Sequence, residues 1–143
     1  MQLKDIMTRT VETIHPEASL QEAAAKLREL NVGSLPVVEN GRVVGVVTDR
    51  DITVRSTAKG DNPLLAKVRE AMTEEVVFGY EDQDVREAAR LMEEKQIRRL
   101  IVVDHDKRLA GIVALGDLAV DTGDRQLAGE ALERISEPAQ PRQ

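Results

Sequence analysis

The chain has 143 residues, of which 41% are hydrophobic and 32% charged, with a formal net charge of −6 at pH 7 and no cysteine. That length suits one domain burying about 70% of its unfolded surface, and the absence of thiols excludes disulfides, thiolate catalysis and Cys-based metal sites. The acidic balance argues against a general nucleic-acid or anionic-membrane surface, and with Phe78 and Tyr80 as the only aromatics there is neither a stacking platform for single strands nor an aromatic cage.

In chain order, the polar start MQLKDIMTRT has no signal-peptide core, and no later run approaches the roughly 20 apolar residues of a membrane helix. A soluble cytoplasmic protein is therefore expected. Val11–His15 reads as a short extended segment. Ser19-Leu-Gln-Glu22 is a capping box, and Leu20, Ala23, Ala24, Leu27 and Leu30 give a helical apolar stripe behind it. Ser34–Glu39 and Arg42–Val47 are Val-rich runs joined by Asn40-Gly41, a strong hairpin signal because both turn positions need positive φ. Being nearly continuous in apolar residues, these runs predict strands covered on both faces. A second helix is predicted from Thr48 or Asp49, fading by Gly60-Asp-Asn-Pro63, and Leu64–Met72 reads as helical.

Val76–Tyr80 then opens a second cycle. Asp84-Val-Arg-Glu87 caps a helix with a stripe of Val85, Ala88, Ala89 and Met92. Leu100–Val103 and Leu109–Val113 are joined by the polar turn Asp104–Arg108, and a helix runs from near Gly116 to about Thr122-Gly123. Arg125–Ile135 is amphipathic, and Glu137–Gln143 reads as a frayed tail.

The two cycles are one pattern written twice. Met7-Thr8 recurs as Met72-Thr73, Glu22-Ala-Ala24 as Glu87-Ala-Ala89, and Leu35, Val37 and Val38 as Leu100, Val102 and Val103. Beyond the hairpin turn, which absorbs one extra residue, Arg42, Gly45, Val47 and Asp51 answer to Arg108, Gly111, Val113 and Asp117. Each repeat reads β-α-β-β-α, over residues 1–62 and 63–123, with 124–143 as a terminal helix and tail.

Asp5-Ile-Met-Thr8, Gly33-Ser-Leu-Pro36 and Gly45-Val-Val-Thr-Asp-Arg-Asp51, in that order and echoed once, resemble the cystathionine-β-synthase (CBS) domain. The chain looks like a stand-alone bacterial two-CBS protein. The resemblance implies an α/β (α+β) fold, with two tandem repeats related by a pseudo-two-fold and forming one module without a catalytic domain. It further implies a regulatory role, homodimerisation through helix faces, and an effector protein downstream. Members of the family bind AMP, ADP, ATP, NAD or S-adenosylmethionine in clefts between the repeats, as regulatory ligands rather than required cofactors.

By that resemblance the ligand-binding residues are Thr13, His15, Pro16, Gly33, Ser34, Leu35, Pro36, Thr48, Arg50 and Asp51, with Asp51 on the ribose hydroxyls and Thr48 facing phosphate. The chemistry suits those roles. A carboxylate accepts from two vicinal hydroxyls, a hydroxyl and N–H groups at a helix start suit phosphate, and Arg50 adds charge-assisted bonds. Gly45 leaves room in a strand for a ligand or another backbone. Other readings stand beside these. Thr48-x-x-Asp51 is itself a near capping box, a role compatible with binding, Gly33 also reads as a helix-terminating glycine two residues past Asn31, and His15 as a satisfied or solvent-facing histidine.

A second, weaker site would use Phe78, Tyr80, Arg98, Arg99, Leu100, Ala114 and Asp117. There the threonine is replaced by Ala114, which removes the hydroxyl. Arg98 and Arg99 read either as substitute anion contacts or as solvated surface arginines, and Tyr80 either as a base-stacking ring or as a half-buried tyrosine. Neither histidine sits in a metal-type cluster, and no metal is expected. The rival reading is a module that acts by protein association with little ligand affinity.

Overall fold

The computed structural model describes residues 1–121, 129, 130, 132, 133, 135 and 136. The chain divides into two compact units. One, the Asp51 unit, comprises Glu12–Val76 with Asp106–Leu109; the other, the Asp117 unit, comprises Met1–Val11, Val77–His105 and Ala110–Gln143. These units do not coincide with the sequence repeats, because the segment opening each repeat folds with the strands of the other.

In the Asp51 unit, α1 (Leu20–Leu30) starts where Ser19 Oγ accepts from Glu22 N at 3.1 Å, and stops at Asn31 in the left-handed conformation, φ 53°. Asn31, not Gly33, is therefore the residue that ends the helix. The strands β1 (Ser34–Glu39) and β2 (Arg42–Thr48) pair antiparallel across Asn40 (φ 54°) and Gly41 (φ 79°), the two positive angles that the turn demands. Along β2, Val43, Gly45 and Val47 are buried while Val44 and Val46 are half-buried, so one face is sealed and the other partly open.

The segment Val11–His15 makes only one bridge, Ile14 to Val37 in parallel. Ile14 N donates to Pro36 O at 3.0 Å and Val38 N to Ile14 O at 2.9 Å. Extending that ladder in either direction would require a donor N–H on Pro16 or Pro36, and proline has none. At the matching place in the second repeat Glu81 N donates to Val103 O at 3.1 Å, and there β3 (Phe78–Tyr80) forms, parallel to β4 (Arg99–Val103).

The helix after β2 begins as α2 (Asp49–Asp51), widens to a π turn over Ile52–Ser56, tightens to a 3₁₀ turn over Thr57–Lys59, and ends at Gly60, φ 82°. Its β-branched run Ile52-Thr-Val54 is a weak α-helix former. Of the expected helix over Leu64–Met72 only α3 (Val68–Ala71) forms. Leu64 and Leu65 are exposed and supply no buried stripe, and Asn62 Oδ1 instead holds a turn by accepting from Leu64 N at 3.0 Å.

The Asp117 unit holds a three-stranded sheet in the order β3-β4-β5, where β5 is Leu109–Ala114, together with α4 (Val85–Lys95) and α5 (Leu115–Asp121). Its core gathers Leu3, Val85, Ala88, Ala89, Met92, Leu100, Val102, Val113, Leu118 and Ile135. That of the Asp51 unit gathers Ile14, Leu20, Ala23, Leu27, Leu35, Val37, Val47, Val68 and Ala71. Most of the helix expected over Arg125–Ile135, and the tail after it, lie outside the described residues.

Candidate ligand-binding site

At the end of β2 the backbone of Thr48 is extended, and the chain turns into α2 through a reciprocal capping box. Asp51 N donates to Thr48 Oγ1 at 3.0 Å and Thr48 N donates to Asp51 Oδ2 at 3.1 Å. Asp51 is only 8% exposed. Its carboxylate faces two further groups: the Thr73 hydroxyl lies 3.4 Å from both oxygens, and Arg55 Nε lies 3.7 Å from Oδ1. Arg55 also reaches Met72 O through Nη1 at 3.3 Å. A carboxylate offers about four acceptor directions. Thr48 N uses one on Oδ2, the shared Thr73 hydroxyl faces one on each oxygen, and Arg55 stands against Oδ1.

The hairpin brings further site residues to the same end of the sheet. Ser34 pairs with Thr48 in register, and Asp49 N donates to Gly33 O at 3.0 Å. A Cβ at Gly33 would come no nearer than 3.7 Å to the Asp49 carboxylate, an ordinary contact. Arg50 is exposed on α2, with its N–H donated to Asp49 Oδ1 at 2.8 Å. Leu35 and Pro36 are buried, Leu35 within the core.

Thr13 and His15 flank Ile14, which lies beside Pro36. Thr13 O accepts from Lys26 Nζ at 2.6 Å. His15 Nδ1 accepts from Glu17 N at 3.0 Å, and Nε2 stands 3.9 Å from Glu39 Oε2, so the ring has structural work in the turn. Pro16 is buried, its carbonyl accepting from Arg69 N at 3.0 Å. The close approach at Gly45 is made by another backbone: an added Cβ would meet the Thr73 carbonyl and the Met72 sulfur at 2.9 Å each.

The second set lies in the Asp117 unit and repeats part of this geometry. Ala114 N donates to Asp117 Oδ2 at 2.8 Å, and Leu115 N donates to Arg98 O at 2.9 Å, as Asp49 does to Gly33. The return bond is lost with the hydroxyl at position 114. Arg98 and Arg99 are exposed, Leu100 is fully buried and Phe78 half-buried.

The Tyr80 ring stacks on His105, centroids 5.2 Å apart and planes 11° from parallel. His105 Nε2 in turn lies 2.8 Å from Asp82 Oδ2. Through that hydrogen bond first, and charge second, the pair raises the His105 pKa, and the same bond lowers that of Asp82.

Sequence analysis assigns no role to His105 in the polar turn Asp104–Arg108, yet the register Tyr80↔Val103 sets Tyr80 beside that turn. It also passed over Thr73 and Arg55. Thr73 was visible only as the echo of Thr8, and its partner lies 22 residues back. Among the described residues no group of three or more His, Asp or Glu side chains could hold a metal ion, and no helix is long and apolar enough to cross a membrane.

The family model for the CBS domain matches residues 3–56 and 68–120. The chain is 46% identical over 134 residues to the CBS domain-containing protein YhcV of Bacillus subtilis (strain 168), with 94% of each chain covered. Among solved structures, CBSX2 in complex with AMP superposes with a TM-score of 0.75 at 28% identity, covering 87% of this chain and 98% of that one. The CBS domain pair of MJ0100, in complex with 5′-methylthioadenosine and S-adenosyl-L-methionine, gives 0.70 at 32% identity with the same coverages. The two matched segments fall on the two repeats read from the sequence, and the chain belongs to the CBS domain family as a tandem pair.

Proposed function

We propose that this protein is a non-catalytic regulatory module that binds an adenosine-containing ligand, namely AMP, ADP, ATP, NAD or S-adenosylmethionine, and passes the energy or redox state it senses to an effector protein. The observation that carries this reading is the Asp51 carboxylate, nearly buried at the end of the hairpin and held by Thr48 N and the Thr73 hydroxyl, a two-oxygen acceptor of the kind a ribose diol needs. Thr48 accepts from Asp51 N through its oxygen and keeps its O–H to donate to a phosphate oxygen, while Arg50 adds a charge-assisted contact. AMP and S-adenosylmethionine in the two similar structures are of this ligand class. Calorimetric titration with those five ligands, and with GMP and CMP as controls, tests it. Saturable binding of at least one adenosyl ligand in preference to the controls is expected, and none at millimolar concentration would overturn the reading.

Association without a ligand rests on a different observation: Val54, Leu64 and Leu65 are 50%, 67% and 76% exposed, apolar side chains that a partner would cover. A homodimer fits both readings, and sedimentation at micromolar concentration measures it.

A further inference from the structure

We infer that Thr73 is a positioning residue that aims the Asp51 carboxylate at a ribose, an assignment resting on the ligand reading above. The carboxylate must present two lone pairs to one diol, so its rotation about the Cβ–Cγ bond decides whether one hydroxyl is recognised or two. Thr48 N fixes Oδ2 from one side at 3.1 Å. Thr73 Oγ1, equidistant from both oxygens at 3.4 Å, gives the carboxylate a second polar neighbour that biases that rotation. Thr73 is itself held firmly: its N donates to Val46 O at 2.8 Å, and Val46 N donates back to Thr73 O at 2.9 Å. Arg55 joins the same arrangement, with Nε facing Asp51 Oδ1 and Nη1 on Met72 O.

The counterpart geometry differs. Thr8, the echo of Thr73, exchanges the same backbone bonds with Ile112 at 2.9 Å. Among the described residues, however, the Asp117 carboxylate accepts from Ala114 N alone. The hydroxyl clamp thus belongs to the unit that retains Thr48, which is where a precise diol reader is needed.

The experiment compares AMP with 2′-deoxy-AMP on wild type, Thr73→Val and Thr73→Ser by calorimetry, with melting temperatures recorded for all three. Wild type is expected to prefer AMP about tenfold, as loss of a hydrogen bond to a charged group implies. Thr73→Val should lose most of that preference, and Thr73→Ser should recover it. If Thr73→Val melts lower but discriminates as wild type does, Thr73 only supports the fold and the assignment is overturned. A wild type that binds both nucleotides equally also overturns it, since Asp51 is then not reading the diol. A wild type that binds neither, nor any other adenosyl ligand, defeats the ligand reading itself and this assignment with it.

Discussion

Gly45 lies directly against the main chain of Thr73: an ideal Cβ there would stand 2.9 Å from the Thr73 carbonyl oxygen, closer than such atoms pack. Gly111 stands in the same relation to Thr8, at 2.7 Å. The glycine inside each second hairpin strand therefore receives the opening segment of the other repeat. The Met side chain in that contact is flexible, but the carbonyl is not, so an added methyl must displace backbone. Gly45→Ala and Gly111→Ala should each cost about 1–3 kcal/mol, read as a lowered denaturation midpoint. A midpoint unchanged in both variants would show that the segments are not packed as described.

Thr48 serves as a helix cap and, on the proposed function, as a phosphate contact, and substitutions separate the two. Asn caps as well as Thr and adds no charge beside Asp51, so Thr48→Asn should leave stability within a few tenths of a kcal/mol, whereas Thr48→Ala should cost about 1 kcal/mol. Thr48→Ala should also weaken AMP more than adenosine when corrected for any unfolding. Equal losses for the two ligands would remove Thr48 from the phosphate.

Asp82 and His105 form a pair open to solvent, so the effect is read best on the ring itself. Asp82 titrates below the ordinary 3.8, so its share is present above that value and is lost as pH falls through the lowered pKa. His105 titrates above the ordinary 6.5, so its share is present below that value and is lost as pH rises through the raised one. The pair is complete between those two values. Lys4 also favours the Asp82 anion, and Glu81 and Asp104 favour the His105 cation. An NMR titration should show the His105 pKa falling toward its ordinary value in Asp82→Asn, and falling less at high salt. A pKa unmoved by the substitution would break the assigned pairing.

What could be read from the sequence was what local chemistry dictates. Ser19, Asn40-Gly41 and Thr48 each act within three or four residues of themselves: the turn and the Thr48 capping box are present, while of the box expected at Ser19 only the bond from Glu22 N to Ser19 Oγ forms. The repeat offset carried the fold and drew attention to Asp51 and Asp117. The extended segment before Pro16 makes a single bridge, because one direction of its ladder ends at Pro16 itself and the other in the partner strand, at the missing N–H of Pro36. The change of pitch over Ile52–Ser56 leaves no mark in hydrophobic spacing. Thr73 and Arg55 became site residues only when the fold brought the start of the second repeat against the end of the first hairpin, a relation that periodicity cannot express.

The asymmetry between Asp51 and Asp117 makes the sharpest mutational contrast. Asn at either place keeps an oxygen to accept from Thr48 N or Ala114 N, so the turn survives, but it carries one acceptor oxygen and an NH₂ in place of a carboxylate. Asp51→Asn also removes the partner of Arg55, an ion pair whose arginine is half-exposed and therefore of small worth to folding. Affinity for ribose-containing ligands should fall about tenfold in Asp51→Asn, the scale of a lost bond to a charged acceptor. In Asp117→Asn the tighter affinity should stay at the wild-type value, and only a second, weaker event should change, since position 114 lacks the hydroxyl. Calorimetry on both variants, with melting temperatures to exclude unfolding, reads the two events separately. Equal losses from the two substitutions would mean that both units bind alike and that Thr48 and Thr73 confer no advantage, whereas a loss confined to Asp117→Asn would place the principal site in the other unit.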